Sequence, residues 1–465
     1  MQFLKTLLLL ACAVAASQTS AHAQREDVEQ VGAMFDDALT RSHCYEWLRY
    51  LCKNIGGRPG GSPAYTAAAA YTAQMLDTVG ADTVWLQPVR VPTWQRGTVA
   101  RVRIVNSQQV GTQALSAIAL GFSGGTPKTG ISGEVIEVKS LAELDKMNPE
   151  RIKGKIVFFN RPMDATKANT FHAYGGAVDQ RTSGPRRAAE LGAVGALVRS
   201  MTLRHDDVPH SGVTMFNDQK PIPAMALGIE SAELLSALLA QEPNLRINIT
   251  ADCAAGKEQT AHNVIADLRG SELPNEIIVV GGHLDAWDVG EGAHDDGAGC
   301  VQAMEVLHLF RRMGIRLRRT LRVVLFANEE NGMYGATEYA RYAREHKKER
   351  QYAAIESDAG GAAPRGFVMD ALPDKQNNAH QKAQKWREIL APYGFTDLHT
   401  GGSAADISKL RDLGTVLFGY RPDSQRYFDY HHAASDVFET INKRELELGA
   451  AGMAALAWLI DKHGF

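Results

Sequence analysis

Histidine and acidic side chains recur directly after segments that read as β-strands in the second half of this 465-residue chain. They are His283 and Asp285, the pair Asp295 and Asp296, Glu329 and Glu330, Asp358, and a run from His431 and His432 to Asp436. A single strand-end aspartate is usually a turn or helix-capping residue, and a lone histidine is usually structural. The carboxyl ends of parallel strands, however, meet at one edge of a sheet, which is where sites form. We therefore expect these groups to converge.

Such a cluster favours a metal centre. Carboxylates packed together repel one another and raise each other's pKa, and a bound cation removes that cost. A mixed set of imidazole and carboxylate ligands without a thiolate suits zinc, with manganese or cobalt also possible. A serine or cysteine nucleophile is not indicated, because no GxSxG motif occurs and Cys300 lies within a predicted helix.

The elements that must position these groups alternate between strand and helix over residues 251–465. The predicted strands are 276–281, 321–327, 353–357 and 415–420, and the predicted helices are 299–313, 335–345, 379–393 and 444–462. This alternation predicts an α/β fold with a mostly parallel mixed sheet flanked by helices.

The first 23 residues read as a signal peptide. Lys5 precedes an apolar core at 7–16, and residues 21–23 fit the small-x-small rule for cleavage. The apolar run is too short to span a bilayer. A lipoprotein box at 9–12 is disfavoured because it would cut the apolar core in half. We therefore expect an exported protein, periplasmic or extracellular, without a stable membrane anchor after cleavage.

Composition excludes several classes of protein. The chain is 45% apolar and 22% charged, which is typical of a soluble globular protein and not of a disordered or multi-span membrane protein. A net charge of −3, from 50 basic and 53 acidic residues, gives no reason to expect a nucleic-acid partner. The arginines between 311 and 322 lie at a predicted helix end and in the following turn, where the helix dipole favours positive charge.

Four cysteines remain after cleavage at residue 23, namely Cys44, Cys52, Cys253 and Cys300. Eight residues of predicted helix separate Cys44 from Cys52 by about 12 Å. That distance exceeds the roughly 7 Å limit for a disulfide, so these two should not pair.

The sequence around the predicted ligands is itself distinctive. The segments are GGHLDAWDVGEGAHDDGAG at 281–299, ANEENGMYGA at 327–336, IESDAG at 355–360 and FDYHHAASD at 428–436. Together they resemble the co-catalytic zinc exopeptidase family that includes bacterial leucyl aminopeptidases and glutamate carboxypeptidases. Any one segment alone is weak, but the four together are specific. The resemblance runs through nearly the whole chain after residue 23.

The resemblance also implies a domain organisation. GKIVFFNRP at 154–162 and RAAELGAVGALV at 187–198 resemble the protease-associated domain that is inserted in several exopeptidase families. We predict that residues 126–250 form this insert and that the catalytic domain is discontinuous, at 24–125 and 251–465. Within the insert, the polar run from His205 to His210 reads as a solvated loop.

The resemblance implies two zinc ions per chain. The implied ligands are His283 and Asp358 for one ion, Glu330 and His432 for the other, and Asp295 as the bridge between them. Asp295 is preferred over Asp296 because the family's bridging aspartate lies four residues before a glycine, here Gly299.

The remaining roles also follow from the family pattern. His432 is preferred over His431 because this ligand lies four residues before an acid, here Asp436. Asp285 would not bind the metal ion itself but would orient the imidazole of His283. Glu329 would be the general acid/base. It would take a proton from a water that bridges the two ions and pass it to the departing amine of a peptide.

The implied function is that of a secreted zinc-dependent exopeptidase, with dipeptides or short peptides as substrates. Whether it acts as a dipeptidase or carboxypeptidase, or instead as an aminopeptidase, stays open, because pocket residues and not the metals decide this. Gly402, Ser403 and Asp406 lie where the family places substrate-contacting residues, although a plain loop is equally compatible. The relatives also imply a homodimer.

Two rival classes are disfavoured by the same residues. A glutaminyl-cyclase-like acyltransferase would use one zinc ion and need not keep both His283 and Asp295. A receptor-like relative without catalysis would not need Glu329 together with all five ligands. The sequence therefore favours a hydrolase.

Overall fold

The computed structural model describes residues 25–465, so the predicted signal peptide lies outside the described residues. The helices are α1 (25–41), α2 (Cys44–Tyr50), α3 (Pro63–Thr78), α4 (Leu141–Asp145), α5 (Pro149–Ile152), α6 (Thr170–Gly175), α7 (Asp179–Thr182), α8 (Gly184–Glu190), α9 (Ile229–Gln241), α10 (Ala298–Arg312), α11 (Tyr334–Glu345), α12 (Pro373–Leu390) and α13 (Lys443–His463). Short turns of 3₁₀ or π-helix lie at Leu51–Ile55, Ala293–Gly297, Ala391–Tyr393, Ile407–Leu413, Tyr427–Asp429 and Phe438–Thr440.

The strands form two eight-stranded sheets and one two-stranded ribbon within the described residues. The strands are β1 (Thr83–Val91), β2 (Trp94–Gln95), β3 (Ala100–Ser107), β4 (Gly111–Leu115), β5 (Ala117–Ala119), β6 (Ile131–Val138), β7 (Ile156–Phe159), β8 (Gly195–Arg199), β9 (Ala224–Leu227), β10 (Arg246–Ala251), β11 (Ala254–Ala255), β12 (Gln259–Leu268), β13 (Leu273–His283), β14 (Arg319–Phe326), β15 (Arg350–Glu356), β16 (Pro364–Asp370), β17 (Asp397–Thr400) and β18 (Val416–Pro422).

The first sheet has the order β1-β12-β14-β13-β15-β18-β16-β17. Its four central strands, β14, β13, β15 and β18, run parallel. On one side, β12 pairs antiparallel with β14 and β1 with β12; on the other, β16 pairs antiparallel with β18 and parallel with β17. The prediction of an α/β fold with a mostly parallel mixed sheet is therefore confirmed. The sequence analysis did not identify β12, β16 and β17, which extend the sheet on both sides.

Helices cover both faces of the first sheet. Successive side chains of a strand point to opposite faces, and in the central strands the side chains on both faces are apolar. Ile278 and Val280 of β13 join the cluster packed under α3, α10 and α13. Ile277 and Val279 point to the opposite face and join a cluster with Tyr339 of α11. Both faces are thus buried from solvent, which explains why the sequences of the central strands are continuous apolar runs.

The second sheet has the order β4-β3-β10-β6-β7-β8-β9-β5 and spans residues 100–251. Strands β3, β4 and β5 belong to it, because β3 pairs with β10 and β5 pairs with β9. The second sheet therefore begins before residue 126, where the sequence analysis placed the boundary. Alternating apolar residues indicate a strand but not the sheet that it joins, so the pattern alone could not locate this boundary.

Two further features bear on the earlier expectations. All four described cysteines are free and buried. Within residues 25–465, no helix combines the length and the apolar character needed to cross a membrane.

Arg58 fastens the loop that joins β13 to the turn at Ala293–Gly297. Its side chain is fully buried, and its guanidinium donates hydrogen bonds to the carbonyl oxygens of Leu284 (2.6 Å), Glu291 (2.8 Å) and Gly292 (3.0 Å). The backbone of Arg58 also pairs with that of Ala286. One side chain thus holds both ends of the loop, which lies between two predicted metal ligands.

Replacing Arg58 with methionine should destabilise the protein strongly. Each buried carbonyl oxygen left without a donor costs about 1–3 kcal/mol, so we expect the free energy of unfolding to fall by about 3 kcal/mol or more. Chemical denaturation followed by circular dichroism measures this. The control is Arg90→Met, which removes an exposed ion pair with Glu258 and should cost no more than about 1 kcal/mol. Equal losses in the two variants would contradict the role of Arg58.

Candidate metal centre

Four neighbouring parallel strands deliver the predicted ligands to one edge of the first sheet. His283 is the last residue of β13, Glu330 follows the end of β14, and Asp358 follows the end of β15. His432 lies in the loop after β18, beyond the turn at Tyr427–Asp429. The convergence expected from the sequence therefore occurs, because parallel neighbours end on the same side of the sheet.

His283, Asp295 and Asp358 form a first group at this edge. The Nε2 atom of His283 lies 3.3 Å from Oδ1 of Asp295 and 3.4 Å from Oδ1 of Asp358. Potential ligand atoms of all three residues lie within 4.8 Å of one another. Three such atoms at this spacing can surround a single cation.

A second group lies on the other side of the Asp295 carboxylate. The Nε2 atom of His432 lies 3.2 Å from Oδ2 of Asp295 and 3.0 Å from Oε2 of Glu330. The neighbouring His431 stacks on His432, and its Nε2 atom is 3.9 Å from the same Oδ2 atom. Asp295 therefore presents one oxygen to each group.

Some of these buried oxygen atoms have no hydrogen-bond donor, which fits a bound cation. Oδ2 of Asp295 and Oε1 of Glu330 are buried and accept no hydrogen bond from the described residues. Burial raises the pKa of Asp295, but the neighbouring imidazoles of His283 and His432 outweigh this effect and hold it well below its usual value. An ionised, buried carboxylate with a free oxygen requires positive charge beside it, which a divalent cation supplies.

The carboxylates of the neighbouring acids, Asp296 and Asp436, accept hydrogen bonds from backbone N–H groups. Oδ2 of Asp296 accepts from the N–H of His283 (3.1 Å), and Oδ1 accepts from the N–H of Gly299 (3.0 Å). The carboxylate of Asp436 accepts from the N–H groups of His294 (2.7 Å) and Asp295 (3.2 Å). These bonds fix the turn so that the Asp295 carboxylate, and not that of Asp296, lies between the two groups.

Asp285 holds the loop that carries the two glutamates. Its carboxylate accepts from the N–H of Glu329 (3.0 Å) and from the N–H of Glu330 (3.3 Å). The Nδ1 atom of His283 lies 3.0 Å from the carbonyl oxygen of Asp285 and 3.8 Å from its carboxylate. The orienting partner of this imidazole in the structure is therefore the carbonyl, while the carboxylate anchors Glu329 and Glu330.

Glu329 lines the cavity in front of the two groups. Burial raises its pKa well above the usual range, and the nearby carboxylates of Asp358 and Glu330 add to this effect, although His283 opposes it. A carboxyl group in such surroundings binds a proton more readily than a solvated glutamate does, which is what general acid/base chemistry near neutral pH requires.

The segment at His431 and His432 is held by residues of the second sheet region. Nδ1 of His210 lies 2.7 Å from the carbonyl oxygen of His431. The backbone N–H of Ser211 donates to the carbonyl oxygen of His432 at 2.8 Å. His432 has a φ of 59°, in the left-handed region that non-glycine residues rarely adopt. The two hydrogen bonds support this conformation. The interpretation of His210 as part of a solvated loop is wrong, because the fold of the second sheet region buries it against this segment.

The cavity in front of the centre has a volume of about 360 Å³. One positively charged side chain in its wall, that of Arg181, was not identified by the sequence analysis. Arg181 of α7 is buried and donates to the hydroxyl of Tyr174 (2.8 Å) and to the carbonyl of Ser211 (3.3 Å), and its Nη1 atom lies 3.3 Å from Nδ1 of His432. Its Nε atom has no partner among the described residues. Nothing in the local sequence marks Arg181, because only the packing of the second sheet region against the loop of His432 brings it here.

The three predicted substrate-contacting residues lie elsewhere. The residues that line the cavity do not include Gly402, Ser403 or Asp406. Asp406 is buried, its backbone N–H and that of Ile407 donate to Glu356, and its own carboxylate has no hydrogen-bond donor among the described residues. Burial and the charge of Glu356 raise the pKa of Asp406 well above its usual value.

Comparison with known proteins gives consistent results. Residues 263–457 match the family model for peptidase family M28. Carboxypeptidase Q of Xenopus laevis is 33% identical over 92% of this chain and 87% of its own length, and the protein of the same name from Homo sapiens is 31% identical over the same shares. These relatives agree with the motifs, which within the family resemble carboxypeptidase Q.

Solved structures share the whole fold. A peptidase M28 precursor from Shewanella amazonensis SB2B is 30% identical and superposes with a TM-score of 0.86 over 94% of this chain and 97% of its own. An aminopeptidase from Aneurinibacillus sp. strain AM-1, 20% identical, shares the fold with a TM-score of 0.62 over 92% of this chain and 96% of its own. The chain therefore belongs to peptidase family M28, the co-catalytic metallo-exopeptidase family that its motifs predict.

Proposed function

We propose that this peptidase is an exported, two-zinc exopeptidase that hydrolyses dipeptides or short peptides and recognises their free carboxyl terminus. The observation that carries the two-metal assignment is the shared carboxylate of Asp295, which faces His283 and Asp358 with one oxygen and His432 with the other. Glu330 completes the second ligand set through its contact with His432. Imidazole and carboxylate ligands without thiolates suit zinc.

The two sites would activate both reactants of a hydrolysis. Zinc bound by such ligands lowers the pKa of a coordinated water toward neutrality and polarises a carbonyl group. Glu329, held by Asp285 through its backbone N–H, faces the same cavity. Its carboxylate accepts the proton of the attacking water and then donates that proton to the nitrogen of the leaving amine.

Arg181 supports recognition of a carboxylate over recognition of an amine. A histidine that binds a metal ion through Nε2 carries its ring proton on Nδ1, so His432 would then offer Arg181 no acceptor. One N–H of Nη1, beyond the one donated to the carbonyl of Ser211, would then lack a partner, as the buried Nε atom already does. A planar carboxylate is the group that such donors match best.

The acids of the cavity support the same choice. Among the described residues that line it, Arg181 is the only arginine or lysine, and the carboxylates are Asp295, Glu329, Glu330 and Asp358. Each of these four acids already has a role in the proposed centre. Among the described residues of the cavity wall, no further acid is left to pair with a free α-ammonium group, as an aminopeptidase would need.

Export and assembly remain proposals from the sequence. The apolar segment at 1–23 supports export, and the resemblance to the family supports a homodimer. The net charge of −3 continues to argue against a nucleic-acid partner.

Replacing Glu329 with glutamine should abolish turnover and leave metal binding intact. The amide keeps the shape of the side chain but cannot carry the proton, so we expect kcat to fall by roughly 100- to 10,000-fold. Steady-state kinetics and zinc analysis of the same preparation measure both effects. The control is Glu338→Gln on α11, which replaces a half-buried partner of Arg341 outside the metal centre and should leave kcat unchanged. Full activity in the Glu329 variant would refute the role of this residue.

Replacing His210 with phenylalanine should weaken one zinc site selectively. The wild-type protein should bind two zinc ions, and loss of the bond to the His431 carbonyl should raise the dissociation constant of the second ion by roughly 10- to 100-fold. Calorimetric zinc titration resolves the two affinities. His205→Phe, at an exposed position of the same region, is the matched control. Loss of both ions together, or of neither, would contradict a role for His210 at one site.

Arg181→Met should reduce hydrolysis of dipeptides that have a free carboxyl terminus. Hydrogen bonds to charged groups contribute about 1.5–3 kcal/mol, so we expect kcat/KM to fall by roughly 10- to 100-fold, mainly through KM. A panel of dipeptides with free, acetylated or amidated ends measures the preference. Arg186→Met, which removes a surface partner of Glu190, is the control. A wild-type enzyme that prefers amidated peptides with a free amine would establish the aminopeptidase alternative.

A further inference from the structure

Trp287 contacts Glu330 and His432, the two residues proposed to bind the second zinc ion together with Asp295. It lies four residues beyond the end of β13, in the loop that Arg58 fastens. Its indole N–H donates to Oε2 of Glu330 at 2.7 Å, and its ring packs edge-on against the imidazole of His432 with 5.8 Å between the ring centroids. All three side chains are buried. In such surroundings a hydrogen bond to a carboxylate is stronger than it would be in water.

This hydrogen bond distinguishes the two oxygens of the Glu330 carboxylate. Oε2 accepts from the indole and also lies 3.0 Å from Nε2 of His432, whereas Oε1 is buried and has no hydrogen-bond partner among the described residues. An imidazole that binds a metal ion through Nε2 has no proton there to donate. Once His432 holds the ion, the indole of Trp287 is therefore the donor that remains to Oε2, and Oε1 is the oxygen left free for the ion.

The space beside the indole leaves little room for a water molecule to act as the donor instead. Trp287, Glu330 and His432 line a small cavity together with Asp295 and Asp436. Its volume is about 10 Å³, whereas one water molecule needs about 10–15 Å³. The orientation of the Glu330 carboxylate thus depends on the indole itself.

Packing between the two sheets fixes the position of the indole. Gly121 of the second sheet region lies against its ring, and a Cβ atom at this position would overlap the ring. The guanidinium of Arg96 lies 5.9 Å from the centroid of the same ring and donates to Asp288, the next residue in the chain, at 2.6 Å. The second sheet region therefore holds the residue that contacts Glu330.

A buried indole usually finds a partner for its N–H group, so a hydrogen bond alone assigns no role. Trp94 illustrates this case, because its N–H donates to the backbone carbonyl of Ser123 at 3.0 Å. Trp94 also contacts Arg96, at 5.0 Å from its ring centroid. Trp287 differs from Trp94 in that its acceptor is a predicted metal ligand whose other oxygen lacks a partner.

We propose that Trp287 is a positioning residue for the second zinc ion, and that its indole N–H holds the Glu330 carboxylate in the orientation that binds this ion. This inference rests on the proposed two-zinc function. In this role the indole neither binds the ion nor touches the substrate. Its loss should weaken the second site and leave the first site, with His283 and Asp358, unchanged.

The first test is Trp287→Phe, which removes the N–H group and keeps an aromatic ring. Loss of a hydrogen bond to a metal ligand typically costs 10- to 100-fold in metal affinity, so we expect the dissociation constant of the second zinc ion to rise by about this factor. Calorimetric zinc titration measures it, and the affinity for the first ion should not change. Trp94→Phe is the matched control. Unchanged affinity for the second ion in the Trp287 variant, or an equal loss in the Trp94 variant, would overturn the proposal.

A second variant separates the hydrogen bond from the packing of the ring. Benzothienylalanine has the size and shape of tryptophan, but a sulfur atom replaces the N–H group. Incorporated at position 287, it should weaken the second site as much as phenylalanine does. Wild-type affinity with this residue would show that the ring and not its N–H group supports the site, and would refute the proposal.

The indole N–H also reports on the site directly. The chain contains six tryptophans, so a protein labelled with ¹⁵N-tryptophan gives a simple spectrum of indole N–H signals. The signals of Trp287 and Trp94 are those missing from the respective phenylalanine variants. The Trp287 signal should shift when the second equivalent of zinc binds, and the Trp94 signal should not. A Trp287 signal that does not respond to zinc would contradict the role of its N–H group.

These measurements use zinc alone, which separates the inference from the proposed peptidase activity. If Trp287→Phe loses only the second ion but the wild-type protein hydrolyses no dipeptide, the inference stands and the proposed activity fails. If dipeptides are hydrolysed and both proteins bind the second ion equally, the activity stands and the inference is refuted. Binding of a single ion by both proteins would overturn the two-zinc assignment and the role of Trp287 together.

Discussion

The burial of several carboxylates and two imidazoles along one cavity wall is the constraint on which the rest of the structure depends. Like charges at this separation repel, and burial makes their repulsion stronger than it would be in water. The structure meets this cost by alternating the signs: His283 lies between Asp295 and Asp358, and His432 lies between Asp295 and Glu330. The oxygens that remain without partners are the positions where a cation stabilises the cluster.

Around the centre, acids outside the predicted ligand set hold the backbone in place. Asp285 fixes the loop of the glutamates, Asp296 fixes the end of β13, and Asp436 fixes the turn of the bridging aspartate. Arg58 supplies donors where these acids supply acceptors. Its guanidinium donates hydrogen bonds to carbonyl oxygens of the loop between β13 and that turn. His283, Asp295 and Glu330 thus each lie on a segment in which a buried acid accepts a backbone hydrogen bond. Such support keeps the ligands in a fixed geometry before any ion binds.

The second sheet region is part of the site and not only an appendage. It supplies Arg181 to the cavity, and His210 and Ser211 to the loop of His432. It also supplies Phe122, Met215 and Phe216 to the wall of a neighbouring cavity of about 660 Å³. The first sheet therefore carries the groups proposed for chemistry, and the second carries those proposed for substrate recognition.

The sequence by itself determined the family, the central parallel strands and the set of chemical groups at their ends. It could do so because buried parallel strands are continuous apolar runs, and because each ligand lies a few residues beyond such a run. Tertiary structure decided what the sequence left open or missed. Strand β3 joins the second sheet, Arg181 reaches the cavity from a short helix, and His210 is buried against the loop of His432. These contacts join residues about 150 to 250 positions apart in the chain. Local patterns report which face of an element is buried, but they carry no information on which distant element covers it.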